Sequence, residues 1–534
     1  MLIAAPRGFL HWTLETYKFP RGRTARPFRF ERKTCTHLIV DPSHITVCSM
    51  GCLRFTRKPT LNLTVMPTAL TAGSRAVEQF DAIIIGAGQA GPPLAERLTA
   101  AGLRVALVER HLFGGTCVNT GCMPTKTLVA SAYAAHLARR GAAYGIAIEG
   151  PINIDMMRVT ARAENVSSTA RMNVEAWLRG MNGLTVIEGH ARFESAETVR
   201  VGERLLQASR IFINVGGRAS VPDMPGVAEV SYLTNTSILK LDHVPRHLVI
   251  IGGSYIGLEF AQIYRRFGAE VTVIEKAARL ISREDADVSE AVEKLLSDEG
   301  ITVRTNANCI GFKPNAEGVA VNVDCTANAP IIVGSHLLLA MGRRPNTDDL
   351  GLDQAGIKTD HRGYIEVDDR LGTNVPNVWA LGDCNGRGAF TDTSYNDYEI
   401  VAANLLDGGD RRVSDRIPAY ALYVDPPLGR VGLSQTEASR SGRSLLVSKR
   451  PMTRVGRAIE KGETLGFMKV IADAETTEIL GAAILGVSGD EAIHGIIDMM
   501  NARVSYPVLQ WAVPIHPTVS ELIPTLLKDL KPVR

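Results

Sequence analysis

Two glycine-rich turns predict an α/β chain built on two Rossmann-like dinucleotide-binding units, because each is entered by an apolar run and followed to a glutamate at the same interval of 23 residues. A final stretch, residues 416–534, alternates β-like runs with helical patterns and predicts an α+β domain behind them. The length agrees: 534 residues at roughly 150 per domain give three or four buried cores.

The first unit opens with the apolar run Phe80 to Ile85, interrupted by Asp81, which reads as a buried parallel strand. It leads into Gly86-Ala87-Gly88-Gln89-Ala90-Gly91. In this G-x-G-x-x-G spacing Gly86 permits the tight bend, Gly88 lets a diphosphate approach the backbone, and Gly91 lets the helix pack on the strand. The helix start supplies free N–H groups and positive dipole to phosphates. A helix to about Ala101 and a strand from Arg104 to Val108 then end at Glu109, placed to accept hydrogen bonds from ribose hydroxyls.

The second unit repeats this order. His247 to Ile251 leads into Gly252-Gly253-Ser254-Tyr255-Ile256-Gly257, a helix runs to about Phe267, and the strand Glu270 to Ile274 ends at Glu275. Ser254 stands where the middle glycine would, and its hydroxyl is able to bond a phosphate oxygen.

Between the two lies Gly114-Gly115-Thr116-Cys117-Val118-Asn119-Thr120-Gly121-Cys122-Met123-Pro124-Thr125-Lys126, then an Ala/Leu-rich stretch that reads as a helix, with Pro124 marking its first turn. Cys122 is therefore expected at or just before a helix N-terminus, where the dipole favours thiolate. Cys117 is expected in a glycine-bearing loop able to close a small ring with it. Two free thiols and a zinc pair are the alternatives, the latter short of further ligands.

With these motifs in place, the stretch from Phe80 to Arg534 resembles the class I pyridine nucleotide-disulfide oxidoreductases: glutathione reductase, dihydrolipoamide dehydrogenase, mercuric reductase and their relatives. The resemblance implies FAD at the first turn and NADH or NADPH at the second. It implies a redox-active disulfide, with Cys122 facing the flavin and Cys117 as the interchange thiol that meets the acceptor. Gly115 and Thr116 would line the flavin, and Lys126 would pair with Glu259 close to it. A lysine there stabilises reduced, anionic flavin and needs a carboxylate of its own. Tyr255 would cover the nicotinamide pocket, with simple packing in the turn as the alternative.

Further motifs arrive in the family's order. Asn377 to Leu381 reads as a strand, and Gly382-Asp383 after it resembles a second FAD signature. By the same resemblance, Thr391 and the helix after it would direct N–H dipoles at the flavin. Gly342-Arg343-Arg344-Pro345-Asn346 marks a return crossing between the nucleotide units, as Gly216-Gly217 to Pro225-Gly226 marks the outward one. His516, with Glu521 to fix its tautomer, would reach across a homodimer interface as acid and base toward the substrate sulfur. The implied division is an FAD domain over 76–220 and 346–415, an NAD(P) domain over 221–345 inserted in it, and a dimerisation domain over 416–534.

Composition narrows the partners. Net charge is +3, so no strong field for nucleic acid exists, and no apolar run reaches the ~20 residues of a membrane helix. The expectation is a cytoplasmic protein without a bound metal cofactor. Residues 1–65 carry eleven Lys and Arg against three acids. This basic extension, 1–75, is expected to be a start codon placed upstream of Met66, an organelle-targeting segment or a disordered tail.

Glu275 favours NADH, since a carboxylate accepts from a ribose 2′-OH and repels a 2′-phosphate, although Lys276 and Arg279 are near. The cysteine loop, the segment Asp425 to Gly432 and the stretch Gly466 to Leu485 look most like the mercuric-reductase-like branch. No cysteine follows Cys384, unlike the C-terminal pair of true mercuric reductases. The acceptor is therefore expected to be a soft metal ion or a disulfide. Glutathione-reductase-like and dihydrolipoamide-oxidising activities, and a flavoprotein sensor, are the alternatives.

Overall fold

The computed structural model describes residues 76–324 and 331–533, and the basic extension lies outside them. A five-stranded, all-parallel sheet carries the first glycine turn, in the order Val378–Ala380, Ile211–Ile213, Ala82–Ile85, Val105–Glu109 and Leu184–Glu188. Its central strand, Ala82–Ile85, is buried along its length, which is why it reads as an unbroken apolar run. The expected single strand from Phe80 is in fact two. Val77–Phe80 pairs with Arg204–Ala208 in a separate sheet, and Asp81 turns the chain between them. The Asp81 carboxylate accepts from the Arg104 N–H at 2.7 Å, a local bond that competes with the ladder.

The second glycine turn sits on a four-stranded parallel sheet in the order Thr302–Arg304, Glu270–Ile274, His247–Ile251 and His336–Leu339. An antiparallel three-stranded sheet, Gly311–Asn315, Gly318–Asn322 and Ile331–Gly334, lies in the same part of the chain. The two crossings meet each other: Gly217–Ala219 and Arg343–Pro345 pair antiparallel, so the chain leaves and re-enters the first unit through one two-stranded ribbon. The C-terminal part is a six-stranded antiparallel sheet centred on Ile479–Leu485 and Phe467–Asp473, with helices against it.

Helix Cys122–Arg139 packs on helix Tyr255–Phe267. Leu128 and Ala132 of the first share one apolar core with Phe260, Ile263 and Tyr264 of the second and with Leu428 and Leu485 of the C-terminal sheet. The sulfur-bearing helix is thus held by both later parts of the chain. An ion cluster reinforces the junction: buried Arg266 pairs with Glu299 at 2.7 Å and with Asp425 at 2.5 Å. Removing one partner of such a cluster strands the others in low dielectric at a cost of about 3–5 kcal/mol. Arg266→Met is expected to lower the melting temperature by several degrees in scanning calorimetry, and an unchanged melting curve would contradict this role.

Candidate active site

The glycine turns are close copies. Gly86 has φ +108° and Gly252 φ +119°, a region open to glycine. A Cβ on Gly86 would stand 2.2 Å from the Asn214 carbonyl oxygen, and one on Gly252 2.4 Å from that of Ala340. Gly91 and Gly257 each face the carbonyl of their own first glycine, where a Cβ would lie at 2.3 and 2.1 Å. Glu109 accepts from the N–H of Ala87 and of His111, both at 2.8 Å. Glu275 does the same, from Gly253 at 2.6 Å and Ala277 at 2.7 Å. Each glutamate therefore ties its strand end to its glycine turn.

Helix Cys122–Arg139 begins at Cys122, where the sequence placed it. Cys117 differs from expectation: it lies in a short helix, Gly115–Asn119, rather than in an irregular loop. Gly114 and Gly115, with φ of +91° and +62°, make the sharp entry that frees the next residues to coil. Asn119 then stitches the turn by donating to the carbonyls of Phe113 at 2.8 Å and Gly115 at 2.9 Å. This segment is pinned to the first glycine turn through Gly114 N–H to Ala87 O at 2.9 Å and Gln89 Nε2 to Gly114 O at 3.0 Å.

Both sulfurs are free thiols, and hydrogen bonding from Cys117 is the largest influence on the Cys122 thiol. With Cys117 as donor, the Cys122 thiol is held down at about 6 against the effect of burial, and the Thr391 hydroxyl and the Lys126 charge act in the same direction. The Cys117 thiol moves the other way, raised by the bond it donates to Cys122 and by burial. One sulfur is thus poised as thiolate and its neighbour kept protonated. Thr391 Oγ1 lies 3.3 Å from Cys122 Sγ and opens helix Thr391–Leu406, so two helix starts converge on this sulfur.

Lys126 Nζ lies 2.7 Å from Glu259 Oε2 and 4.5 Å from the centre of the Tyr423 ring. The other Glu259 oxygen accepts from the Tyr423 N–H at 3.1 Å. This pair joins the sulfur helix, the second-turn helix and the C-terminal sheet. Asp383 is raised by burial, opposed by Arg343, whose Nε is 3.3 Å from it. Arg343 also donates to the Gly217 carbonyl at 2.5 Å and to Thr116 Oγ1 at 3.4 Å. Gly342, φ +113°, faces open space where a Cβ would stand.

The reading of the sequence missed Asn214. Its side chain accepts from Gly91 N–H at 3.2 Å and donates to Leu381 O at 3.0 Å, binding the first glycine turn to the strand before Gly382. A polar residue closing the apolar strand Ile211–Ile213 was the available signal.

His516 Nδ1 is 2.8 Å from Glu521 Oε2, leaving Nε2 free. The ring is 81% exposed, and Val513, Ile515 and Trp511 beside it are 97, 79 and 75% exposed. Among the described residues of one chain, His516 hydrogen bonds to Glu521 and to neither sulfur. Tyr255, at the start of the second-turn helix, stands edge-on to Phe390 and Tyr420 at ring distances of 6.0 and 5.6 Å. Burial pushes its hydroxyl up to about 12.

Residues 80–399 match the family model described as pyridine nucleotide-disulphide oxidoreductase, and residues 418–527 match the dimerisation domain of the same family. The chain belongs to the pyridine nucleotide-disulfide oxidoreductases and is an oxidoreductase whose family uses FAD and NAD(P)H. It is 36% identical to the probable pyridine nucleotide-disulfide oxidoreductase RclA of Escherichia coli K12, over 85% of this chain and all of that one. A mercuric reductase of Bacillus cereus is 32% identical over 78% of this chain and 66% of its own length. Among solved structures, the Cu(II) complex of the HOCl-induced flavoprotein disulfide reductase RclA from Escherichia coli matches with a TM-score of 0.77 and 35% identity, covering 84% of this chain and 99% of that one. Among the described residues no helix is long and apolar enough to cross a membrane.

The residues present fit a flavin dinucleotide. A Cβ on Gly88 would meet Asn214 Oδ1 at 2.9 Å and one on Gly115 the Gly88 backbone at 2.8 Å, so neither position admits a side chain and the turn before helix Gly91–Ala100 stays backbone only, as a diphosphate site requires. With Cys122 at about 6, iodoacetamide alkylation of the reduced protein is expected to be level above neutral pH and to fall as pH drops through 6. Thr391→Val is expected to move that inflection upward, and an inflection near 8.5 in the unaltered protein would refute the assignment.

Proposed function

We propose that the chain, with Cys117 and Cys122 joined as a disulfide, takes two electrons from a reduced nicotinamide dinucleotide, NADH before NADPH, which breaks the S–S bond to leave a thiolate on Cys122 and a thiol on Cys117, the state described above, and that reoxidation of this pair delivers the two electrons to a soft metal ion or a disulfide. The observation that carries this reading is the placement of Cys122 at the start of helix Cys122–Arg139, its Sγ 3.3 Å from Thr391 Oγ1 and Cys117 five residues before it, a setting that holds the Cys122 thiol down. FAD, when bound, supplies two-electron transfer between nicotinamide and sulfur. Gly86, Gly88, Gly91, Gly115, Thr116 and Asp383 are the residues to hold it, with Glu109 shaping the turn and Thr391 at a helix start.

The division of labour follows from the proton inventory. Cys122 stays ionised because its partner donates to it and Lys126 lies near, while Glu259 balances the lysine and keeps it in place. Cys117, kept protonated until needed, is the sulfur that meets the acceptor. His516 gives its Nδ1–H to Glu521, which leaves Nε2 as the base that takes the Cys117 proton and as the acid that returns one to a leaving thiolate. The exposed apolar run around His516 supports coverage by a second copy of the chain, with an active site shared between subunits. Tyr255 acts as the lid of the nicotinamide pocket, and Gly252, Gly253, Gly257 and Gly342 frame the nucleotide site.

The solved relative with Cu(II) and the mercuric reductase similarity favour a metal acceptor, whereas a histidine paired with a carboxylate favours disulfide chemistry. The setting is cytoplasmic, with no nucleic acid or membrane partner. Anaerobic NADH is expected to render both Cys117 and Cys122 titratable with a thiol reagent, and Cys122→Ser is expected to abolish turnover. Hg(II), Cu(II), glutathione disulfide and lipoamide, tested as acceptors in parallel, identify the electron sink. Turnover with none of them would favour a sensor. An NADPH advantage above tenfold in kcat/KM would reject the nucleotide preference.

A further inference from the structure

Behind Tyr255 lies a buried chain of polar groups that the proposed reaction does not use. The Tyr420 ring stacks on Phe390 at 5.7 Å with 13° between planes, and Tyr255 stands perpendicular to both, at 87° and 85°. Two near-parallel rings thus form a seat for the edge of a third. One wall is fixed by its hydroxyl: Tyr420 donates to Glu284 Oε1. Glu284 is itself held by Arg430, whose Nε lies 3.4 Å from Oε2, and both side chains are nearly sealed from solvent. Arg430 is locked in turn, donating from Nη1 to Ala482 O at 2.8 Å and Val431 O at 3.1 Å. The other wall, Phe390, is the cap of the helix opened by Thr391 and donates its N–H to Thr393 Oγ1 at 3.2 Å.

A buried ion pair is costly to desolvate and adds little stability over apolar packing, so its persistence behind a surface aromatic asks for a positional reason. Tyr255 is half-buried at the start of its helix and is the member of the ring cluster that belongs to the second glycine turn, Gly252 to Gly257. A tyrosine that must leave such a seat to admit a nucleotide lowers apparent affinity by the fraction of time the seat is vacated. We propose that Tyr420, anchored by the Glu284–Arg430 pair, is a positioning residue that holds Tyr255 in its closed seat and thereby sets how readily the nicotinamide pocket opens. The proposal rests on the reading of Tyr255 as the lid of that pocket.

A double-mutant cycle on the flavin-loaded protein tests it. The probe is NAD+ or NADP+, whichever the unaltered protein binds more tightly, titrated by calorimetry so that no turnover enters the readout. Tyr420→Phe keeps the ring but removes the anchor, and is expected to lower the apparent Kd three- to tenfold. In a Tyr255→Ala background the same change is expected to have no effect, because no lid remains to be held. Phe390→Leu, which removes the other wall without stranding a buried polar group, is expected to behave alike and covers the case in which Tyr420→Phe fails to fold. An equal change in Kd in both backgrounds, or an unchanged or raised Kd for Tyr420→Phe beside an altered Kd for Tyr255→Ala, would overturn the positioning role. An unchanged Kd for Tyr255→Ala alone would instead overturn the lid reading, and the proposal with it.

Discussion

The ion pair between Lys126 and Glu259 is the contact on which the arrangement turns. It crosses between two helices that begin far apart in the chain, one opened by Cys122 and the other following the second glycine turn. Glu259 is almost wholly buried, so the lysine cannot leave without stranding a carboxylate. The Tyr423 backbone fills the remaining carboxylate oxygen and draws the C-terminal sheet into the same junction. One charge pair therefore registers three parts of the molecule against the reactive sulfur, and its cation also favours the thiolate. Structural registration and sulfur chemistry share the same atoms.

The two nucleotide units repeat this economy at the level of the backbone. In each, a strand-end glutamate accepts from the N–H groups of the glycine turn and of the residue two positions on, at matching places in the sequence. The glutamates thus shape the turns. Asn214 binds the first turn to the strand that precedes Asp383, so the two halves of the first unit are joined at that turn.

Much of this was legible because it is local. The second-unit strands and helix fall where apolar runs and glycines put them, and Cys122 opens its helix as Pro124 indicated. Departures have local causes too. Asp81 divides an expected strand by capturing the Arg104 N–H, and two left-handed glycines let Cys117 coil where a loop was expected. What could not be read is what only tertiary proximity creates. Asn214, Glu284, Tyr420 and Arg430 belong to no motif, and their meaning comes from neighbours more than a hundred residues away. His516 is a different case: its pairing with Glu521, five residues on, is local and could be read from the sequence, and the rest of its ring is exposed.

The antiparallel ribbon at the crossings has a consequence for synthesis. Strand Val378–Ala380, at the edge of the first parallel sheet, pairs with Ile211–Ile213 and is made only after the whole inserted unit has left the ribosome. The inserted parallel sheet, complete by Leu339, can close earlier than the sheet that hosts it. Until then the outer edge of Ile211–Ile213 lacks its partner strand, an unpaired margin that a neighbouring chain could pair with.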